Sequence, residues 1–217
     1  KPNSASKELE RIDLKNRRAT PVSLQEKIIA YVRQRCSAWN GILMLDQVQE
    51  ANRGVLTSRV RKALIAHVRR RPELVALADS RSRIQLFKQV ITKPNEFEAA
   101  RALGATGKRL STSASRAHAR RLSNFTGRPV FLTMGDRGIL VADAGDLVHI
   151  PARAVRGRTD SVGAGDATSA ALAAALAAGA HLQEAAAIAA VAAAVTVRQI
   201  GTTGTATQTQ ILRRFSS

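Results

Sequence analysis

The chain has 217 residues and a formal net charge of +18, with 45% hydrophobic but only 3% aromatic residues. This length fits one domain or one large lobe, whose core must consist mainly of aliphatic and alanine side chains. The single cysteine, Cys36, excludes an internal disulfide and fits a reducing cytoplasm. The histidines lack metal-ligand spacing, and no run of residues is apolar enough to predict a membrane span.

The positive charge raises the question of nucleic-acid binding. Lysine and arginine residues are spread over several predicted helices, for example at 59–62, 69–71 and 116–121. Few aromatic residues are present to stack on bases. We therefore favour a solvated basic surface, which would also suit anionic substrates, and keep a basic nucleic-acid-associated module as the alternative.

Short apolar strands alternate with helices along the chain. Ser23 and Glu26 have the spacing of a capping box, which predicts a helix that begins there and ends near Cys36. Apolar runs predict strands at 41–48, 74–78, 90–91 and 147–150, and a hairpin at 130–141 that turns at 135–138. Periodicity and alanine content predict helices at 56–71, 96–103, 111–123, 164–178 and 182–197, and a short helix near the end.

This alternation predicts an α/β fold with a mainly parallel sheet covered by helices on both faces. The sequence contains no internal repeat. We therefore expect residues 1–217 to form one structural unit.

The strongest chemical signal is the run DSVGAGD at residues 160–166, directly before a predicted helix. The first turn of a helix has unpaired N–H groups and a partial positive charge, which together bind anions. Gly163 and Gly165 lack side chains, so a phosphate can approach the backbone closely. Asp166 falls beside this pocket, where a carboxylate can accept the proton of an attacking hydroxyl. A glycine-rich loop before an acidic helix start is an equally good interpretation of these residues alone.

This run resembles the D-T/S-x-G-A-G-D signature of the PfkB, or ribokinase-like, carbohydrate kinases. The resemblance implies that Asp166 is the catalytic base. It also implies that Gly163, Ala164 and Gly165 form an anion hole for the transferring phosphoryl group, and that Asp160 belongs to the nucleotide-binding site.

The run KPNEFE at residues 93–98 resembles the family's P-N-x-x-E motif. The resemblance implies that Asn95 and Glu98 organise Mg²⁺ and the phosphates, largely through water. The same spacing is also that of a capping box, which is at least as good an interpretation of the motif by itself.

Two glycine-containing segments complete the resemblance. TMGDRG at residues 133–138 is similar to the family's T-x-G-x-x-G element, which implies nucleotide contacts at Thr133, Gly135 and Gly138. RQIGTTG at 198–204 resembles the loop that closes the adenine pocket and contains Gly201. A plain hairpin turn and a helix C-cap are the alternatives for these segments.

Within the family, the runs at 46–57 and 77–81 look most like the heptose-phosphate kinase branch. That likeness places Asp79, Arg81 and Arg83 near a phosphate-bearing face, although charged residues are also ordinary at strand ends. The run GATGK at 104–108 lacks the spacing of a P-loop, so we do not assign phosphate binding to it.

The resemblance extends from about residue 11 to the end of the chain. Family members carry a further segment before this point, which holds the first strands, the β-sheet lid and most sugar-binding residues. The chain begins at Lys1 rather than Met, so we expect either part of a complete kinase or a naturally shortened, catalytically silent nucleotide-binding protein. The resemblance implies ATP and Mg²⁺ as cofactors and a sugar or sugar phosphate as the acceptor. A monovalent cation and a homodimer through the lid are family properties that the sequence leaves open.

Overall fold

The computed structural model describes residues 16–105 and 110–215, and these residues form a six-stranded sheet. The strands lie side by side in chain order: β1 Gly41–Asp46, β2 Val75–Ser80, β3 Ile91–Thr92, β4 Val130–Thr133, β5 Ile139–Asp143 and β6 Asp146–Ile150. Strands β1 to β4 are parallel, whereas β5 and β6 are antiparallel to their neighbours. The predicted α/β fold with a mainly parallel sheet is therefore confirmed. Residue 11 and the lysine of the GATGK run lie outside the described residues.

The described residues also form seven α-helices. These are α1 Val22–Arg35, α2 Ser58–Val68, α3 Glu96–Ala102, α4 Thr112–Thr126, α5 Ala164–Ala177, α6 Leu182–Thr196 and α7 Gln208–Phe215. One local prediction is wrong, because Ser23 does not cap α1. The N-cap is Pro21, two residues before Ser23, and no side chain caps the first turn of the helix. The fixed φ of proline suits this position, so the capping box is not needed to start the helix.

Helices cover both faces of the sheet, as the sequence predicts. On one face, Met44 and Ala78 belong to an apolar cluster with Val60 of α2, and Leu132 packs in a second cluster with Leu122 of α4. On the other face, side chains of the sheet pack against α5 and α6 in a third cluster, which includes Leu77, Phe131, Val141, Leu172, Ala185 and Ala189. The many alanines let these two helices lie close to each other and to the sheet.

The parallel strands bring polar residues to one edge of the sheet. Because β1 to β4 run in the same direction, their carboxyl ends meet at this edge, where ligands of open α/β sheets bind. Asp46 ends β1, Ser80 ends β2, and Thr133 ends β4. Among the described residues, no helix has the length and apolar character needed to cross a membrane.

Candidate active site

The first turn of α5 presents unpaired backbone donors. Gly163 is the N-cap residue, with φ of 79°, and no side chain caps the helix. The Ala164 amide donates to the Ser161 carbonyl at 3.2 Å, but no acceptor within the described residues receives the amides of Gly165 and Asp166. A Cβ atom at Gly165 would meet nothing within 4 Å, so an anion can approach these amides. The helix start therefore offers an anion the amides of Gly165 and Asp166. The Ala164 amide, which the sequence also predicts in the anion hole, already has an acceptor.

Asp166 lies in the same first turn, and its side chain is exposed. No ion pair of the described residues involves its carboxylate. The carboxylate is therefore accessible to a ligand that binds at the helix N-terminus. A base beside an anion site is the arrangement that phosphoryl transfer to a hydroxyl needs.

Asp160 fastens two loops together. Its carboxylate accepts hydrogen bonds from the amides of Val162, at 3.0 Å, and Gly201, at 3.1 Å. These two backbone hydrogen bonds lower the pKa of Asp160 below its ordinary value, since they favour the charged form. The Asp160 carboxylate thus links the loop before α5 to the loop at Gly201 through backbone hydrogen bonds.

The same two loops are in contact at Gly163. A Cβ atom there would lie 3.0 Å from Cγ2 of Thr203 and 3.3 Å from the amide nitrogen of Gly204. Gly163 also has a positive φ, which glycine adopts without strain. Gly201, by contrast, faces open space, because nothing lies within 4 Å of an added Cβ atom. The structure therefore places the two glycine-containing segments 160–166 and 198–204 side by side.

Asn95 and Glu98 form a capping box at the start of α3. The Asn95 side chain accepts a hydrogen bond from the Glu98 amide at 2.9 Å, and the Glu98 carboxylate accepts one from the Asn95 amide at 2.8 Å. Burial is the main cause that raises the pKa of Glu98 above its ordinary value; the Asn95 amide opposes this shift, and the charge of Asp79 adds to it. Only one carboxylate oxygen of Glu98 is used in the capping box, so the other oxygen is available to a water molecule or a ligand.

The hairpin turn places Thr133 next to the KPNEFE run. The Thr133 amide donates to the Pro94 carbonyl at 2.9 Å, and Asn95 and Thr133 form a parallel β-bridge. Gly135 has a φ of 63° and open space at its Cβ position. Gly138 is explained by packing, since a Cβ atom there would lie 2.1 Å from the Ile150 carbonyl oxygen. Only Gly135 of these two glycines faces space that a ligand can use.

A buried ion pair that the sequence analysis did not select links the carboxyl end of β2 to the residue that follows β3. Lys93 Nζ lies 2.9 Å from Asp79 Oδ2, and the two side chains are only 4% and 8% exposed. Ser169, on α5, donates its hydroxyl to the same Asp79 oxygen at 3.2 Å. Ser169 lies about one helical turn after Asp166. The pair thus holds the helix that carries the candidate base against the carboxyl ends of β2 and β3.

Two of the three residues expected near a phosphate-bearing face already have charged partners. Asp79 pairs with Lys93, and Arg83 makes a two-point contact with Asp46 at 2.8 and 3.0 Å. The third residue, Arg81, is exposed and donates to the Gln47 side chain at 2.8 Å. The structure therefore gives Asp79 and Arg83 a role in fastening strand ends.

Known proteins identify the family of the chain. A family model described as pfkB family carbohydrate kinase matches residues 61–209, which is more than half of the chain. The chain belongs to the PfkB family of carbohydrate kinases. The resemblance found in the sequence motifs is thereby confirmed.

Curated relatives of this PfkB member include proteins named Bifunctional protein HldE. The protein from Bradyrhizobium sp. (strain ORS 278) is 34% identical over 192 residues, which are 85% of this chain and 37% of the relative. The protein from Geobacter metallireducens is 33% identical over 201 residues, which are 92% of this chain and 40% of the relative. The chain therefore spans about two fifths of the length of these relatives. They agree with the branch that the runs at 46–57 and 77–81 indicated.

Solved structures show the same fold. Phosphofructokinase-2 from Escherichia coli in complex with potassium matches with a TM-score of 0.71 at 17% identity, over 88% of this chain and 62% of that one. Ribokinase from Arabidopsis thaliana, complexed with ribose and ATP, matches with a TM-score of 0.70 at 17% identity, over 92% and 60%. The predicted ribokinase-like fold is confirmed.

Proposed function

We propose that residues 1–217 are the nucleotide-binding and catalytic part of a kinase that transfers a phosphoryl group from ATP to a hydroxyl of a sugar or sugar phosphate. The observation that carries this proposal is that two amides without an acceptor, at Gly165 and Asp166, lie in the same helix turn as the exposed Asp166 carboxylate. This arrangement occurs in a member of the PfkB carbohydrate kinases, at the edge of the sheet where the parallel strands end.

In the proposed reaction, the amides of Gly165 and Asp166 donate hydrogen bonds to the transferring phosphoryl group. Fixed donors of this kind stabilise the charge of the transition state without reorganising. The Asp166 carboxylate accepts the proton of the acceptor hydroxyl, whose oxygen forms the new bond to phosphorus while the bond to the leaving ADP oxygen breaks.

The described residues fit Mg²⁺ that arrives with the nucleotide. They contain no group of three or more His, Cys, Asp or Glu side chains that could hold a metal ion alone. Mg²⁺ commonly keeps several waters and uses few carboxylates together with substrate phosphates. The half-buried Glu98 carboxylate, with Asn95 beside it, would contact such an ion through water. When bound, the ion supplies positive charge that offsets the charge of the phosphates.

The loops at 133–138 and 198–204 would hold the rest of the nucleotide. Gly135 and Gly201 both have open space at the Cβ position, and Asp160 ties the Gly201 loop to the start of α5. Potassium in phosphofructokinase-2 and ATP in ribokinase suggest that this chain also takes ATP and a monovalent cation. A single cysteine and the use of ATP fit a cytoplasmic protein.

The test is ADP formation by the complete protein with a panel of sugars and sugar phosphates. Asp166→Asn should lower turnover by about 10²–10⁴-fold, the usual contribution of a general base, with little change in ATP affinity. Asp146→Asn is the matched control, because Asp146 is also an exposed aspartate but lies at the start of β6. Turnover that survives in Asp166→Asn would disprove the assignment of the base.

Thermal stability measured with and without ATP separates the alternatives. A ligand of the native state stabilises it by about 2.7 kcal/mol at a hundred times its Kd. Stabilisation by ATP together with ADP formation supports the kinase. Stabilisation without ADP formation for any acceptor indicates a catalytically silent nucleotide-binding protein. If ATP has no effect, the proposed nucleotide site is wrong, and the basic nucleic-acid-associated module becomes the better hypothesis.

A further inference from the structure

A cleft of about 190 Å³ lies at the amino ends of the parallel strands, at the sheet edge opposite to the candidate active site. Its polar lining residues each precede a strand or follow a helix. Arg69 follows α2, Arg71 precedes β2, Gln89 precedes β3, and Arg128 precedes β4. Leu74 contributes to its apolar part. No proposed step of phosphoryl transfer uses this cleft.

The cleft carries an excess of positive charge. Three arginines line it, and none of its lining residues is acidic. Arg71 pairs with Glu73 at 2.7 Å, but no ion pair of the described residues involves Arg69 or Arg128. Helices α2 and α4 end close to Arg69 and Arg128, and each helix C-terminus contributes roughly half a negative charge. These negative charges leave about one positive charge uncompensated.

Part of the lining is held in place before any ligand binds. Arg71 donates to the Glu73 carboxylate and to the Cys36 carbonyl, so its guanidinium has a fixed position. The Gln89 backbone has a φ of 62° and donates to the Thr126 carbonyl at 2.7 Å. The Gln89 side chain lies against Gly127, where an added Cβ atom would be only 2.5 Å from Nε2. Arg71 and Gln89 both line the cleft, and lining residues that are held in place before binding reduce the entropy lost on binding.

We propose that this cleft binds a small phosphate-bearing anion, either inorganic phosphate or the phosphate group of a small metabolite. The planar guanidinium group matches the geometry of phosphate oxygens and often binds them in a two-point contact. The cleft far exceeds the roughly 10–15 Å³ that one water requires, but it is smaller than the roughly 300–1,000 Å³ of pockets for drug-sized ligands. A phosphate group with a few further atoms therefore fits it better than a nucleotide does.

The test is an NMR titration of the chain with inorganic phosphate, observed through backbone amide shifts. We expect saturable shifts at Gln89, Gly127 and Arg128. Shifts at Gly165 and Asp166 would report phosphate at the candidate active site in the same experiment, so the two sites are judged separately. A parallel titration with glycerol phosphate distinguishes the sources of the phosphate group. Tighter binding of the ester than of inorganic phosphate indicates a phosphorylated metabolite, and equal or weaker binding indicates inorganic phosphate.

Charge variants test the residues. The double variant Arg69→Ala/Arg128→Ala should raise the Kd for phosphate at least about tenfold, since it removes two charged donors. Lys62→Ala/Arg120→Ala is the matched control, because both residues are exposed and helical and the charge lost is the same. This control should change the Kd by less than about twofold, as expected for charges without a direct contact. The single variant Arg128→Gln should also weaken binding, which keeps the test valid if the double variant folds poorly.

Two results would overturn the proposal. One is a wild-type titration without saturable shifts at Gln89, Gly127 and Arg128, whatever happens at Gly165. The other is an equal loss of affinity in both double variants, which would mean that phosphate responds only to net charge. Neither result bears on Asp166 as the base, because the cleft lies at the edge of the sheet opposite to the edge where α5 begins.

Discussion

The buried Asp79–Lys93 pair allows a quantitative test of how the candidate site is held. The variant Lys93→Met keeps a long side chain but removes the charge that lies 2.9 Å from Asp79. Asp79 would then keep the hydrogen bond from the Ser169 hydroxyl. Removing one member of a buried pair leaves an uncompensated charge, which typically costs about 3–5 kcal/mol. We therefore expect the free energy of unfolding to fall by about this amount.

The assay is urea denaturation, with the loss of secondary structure as the signal. Arg59→Met is the matched control, because the Arg59–Glu26 pair has a similar distance of 2.8 Å but its side chains are 54% and 57% exposed. Exposed pairs usually contribute about 0–1 kcal/mol, so this control should change little. In the double variant Asp79→Asn/Lys93→Met, part of the lost stability should return, since neither member of the pair is then left as an unpaired buried charge. A loss below about 1 kcal/mol for Lys93→Met would refute the buried pair, because that is the value of an exposed one.

Three further predictions concern the glycines and the carboxylates of the site. Gly138→Ala should unfold at a clearly lower urea concentration than Gly145→Ala. Both glycines have a positive φ, of 95° and 94°. Only Gly138 lacks space for a side chain, because an added Cβ atom would lie 2.1 Å from the Ile150 oxygen. Because hydrogen bonds lower the pKa of Asp160, its stabilising effect should be present above its ordinary pKa of 3.8 and lost as the pH falls through the lowered value. Unfolding curves of Asp160→Asn between neutral and acidic pH should lack this component. Because burial raises the pKa of Glu98, the free energy of unfolding should decline as the pH rises from 4.5 through the raised value. Glu98→Gln can keep the capping box, and it should remove that decline in the same unfolding curves.

The order and type of the elements could be predicted from the sequence because each depends on local patterns. The apolar run at 41–48 contains β1, and the turn at 135–138 joins β4 to β5 as the glycines indicate. The predicted start of α1 is wrong because Pro21, and not Ser23, is the N-cap, so that Ser23 lies inside the first turn. The capping box of Asn95 and Glu98, which the sequence predicts as an alternative to a ligand site, is present. This motif caps α3 with one carboxylate oxygen of Glu98 and leaves the other oxygen outside the capping box.

The Asp79–Lys93 pair could not be found in this way because it depends on the register of two strands. Ala78 is paired with Thr92, which places the next residues of β2 and of the chain after β3 side by side. A shift of the register by one residue would move the side chains to the opposite face. The sequence places Lys93 inside a recognised motif, but it contains no signal for the partner, which lies in another strand. The free amides at Gly165 were easier to predict, since a helix N-terminus always leaves donors unpaired.

The same pair explains why two motifs that are far apart in the sequence act as one structural unit. Lys93 begins the KPNEFE run, and Ser169 lies about one turn after the base of the DSVGAGD run. Both side chains contact the same oxygen of Asp79. A change at Lys93 should therefore disturb the position of α5 as well as the stability of the fold. Small displacements of a base from its acceptor are costly, because catalysis depends on near-attack geometry. In the complete protein, Ser169→Ala should then lower turnover more than it raises the KM for ATP, whereas a purely structural hydroxyl would leave the turnover of the folded fraction unchanged.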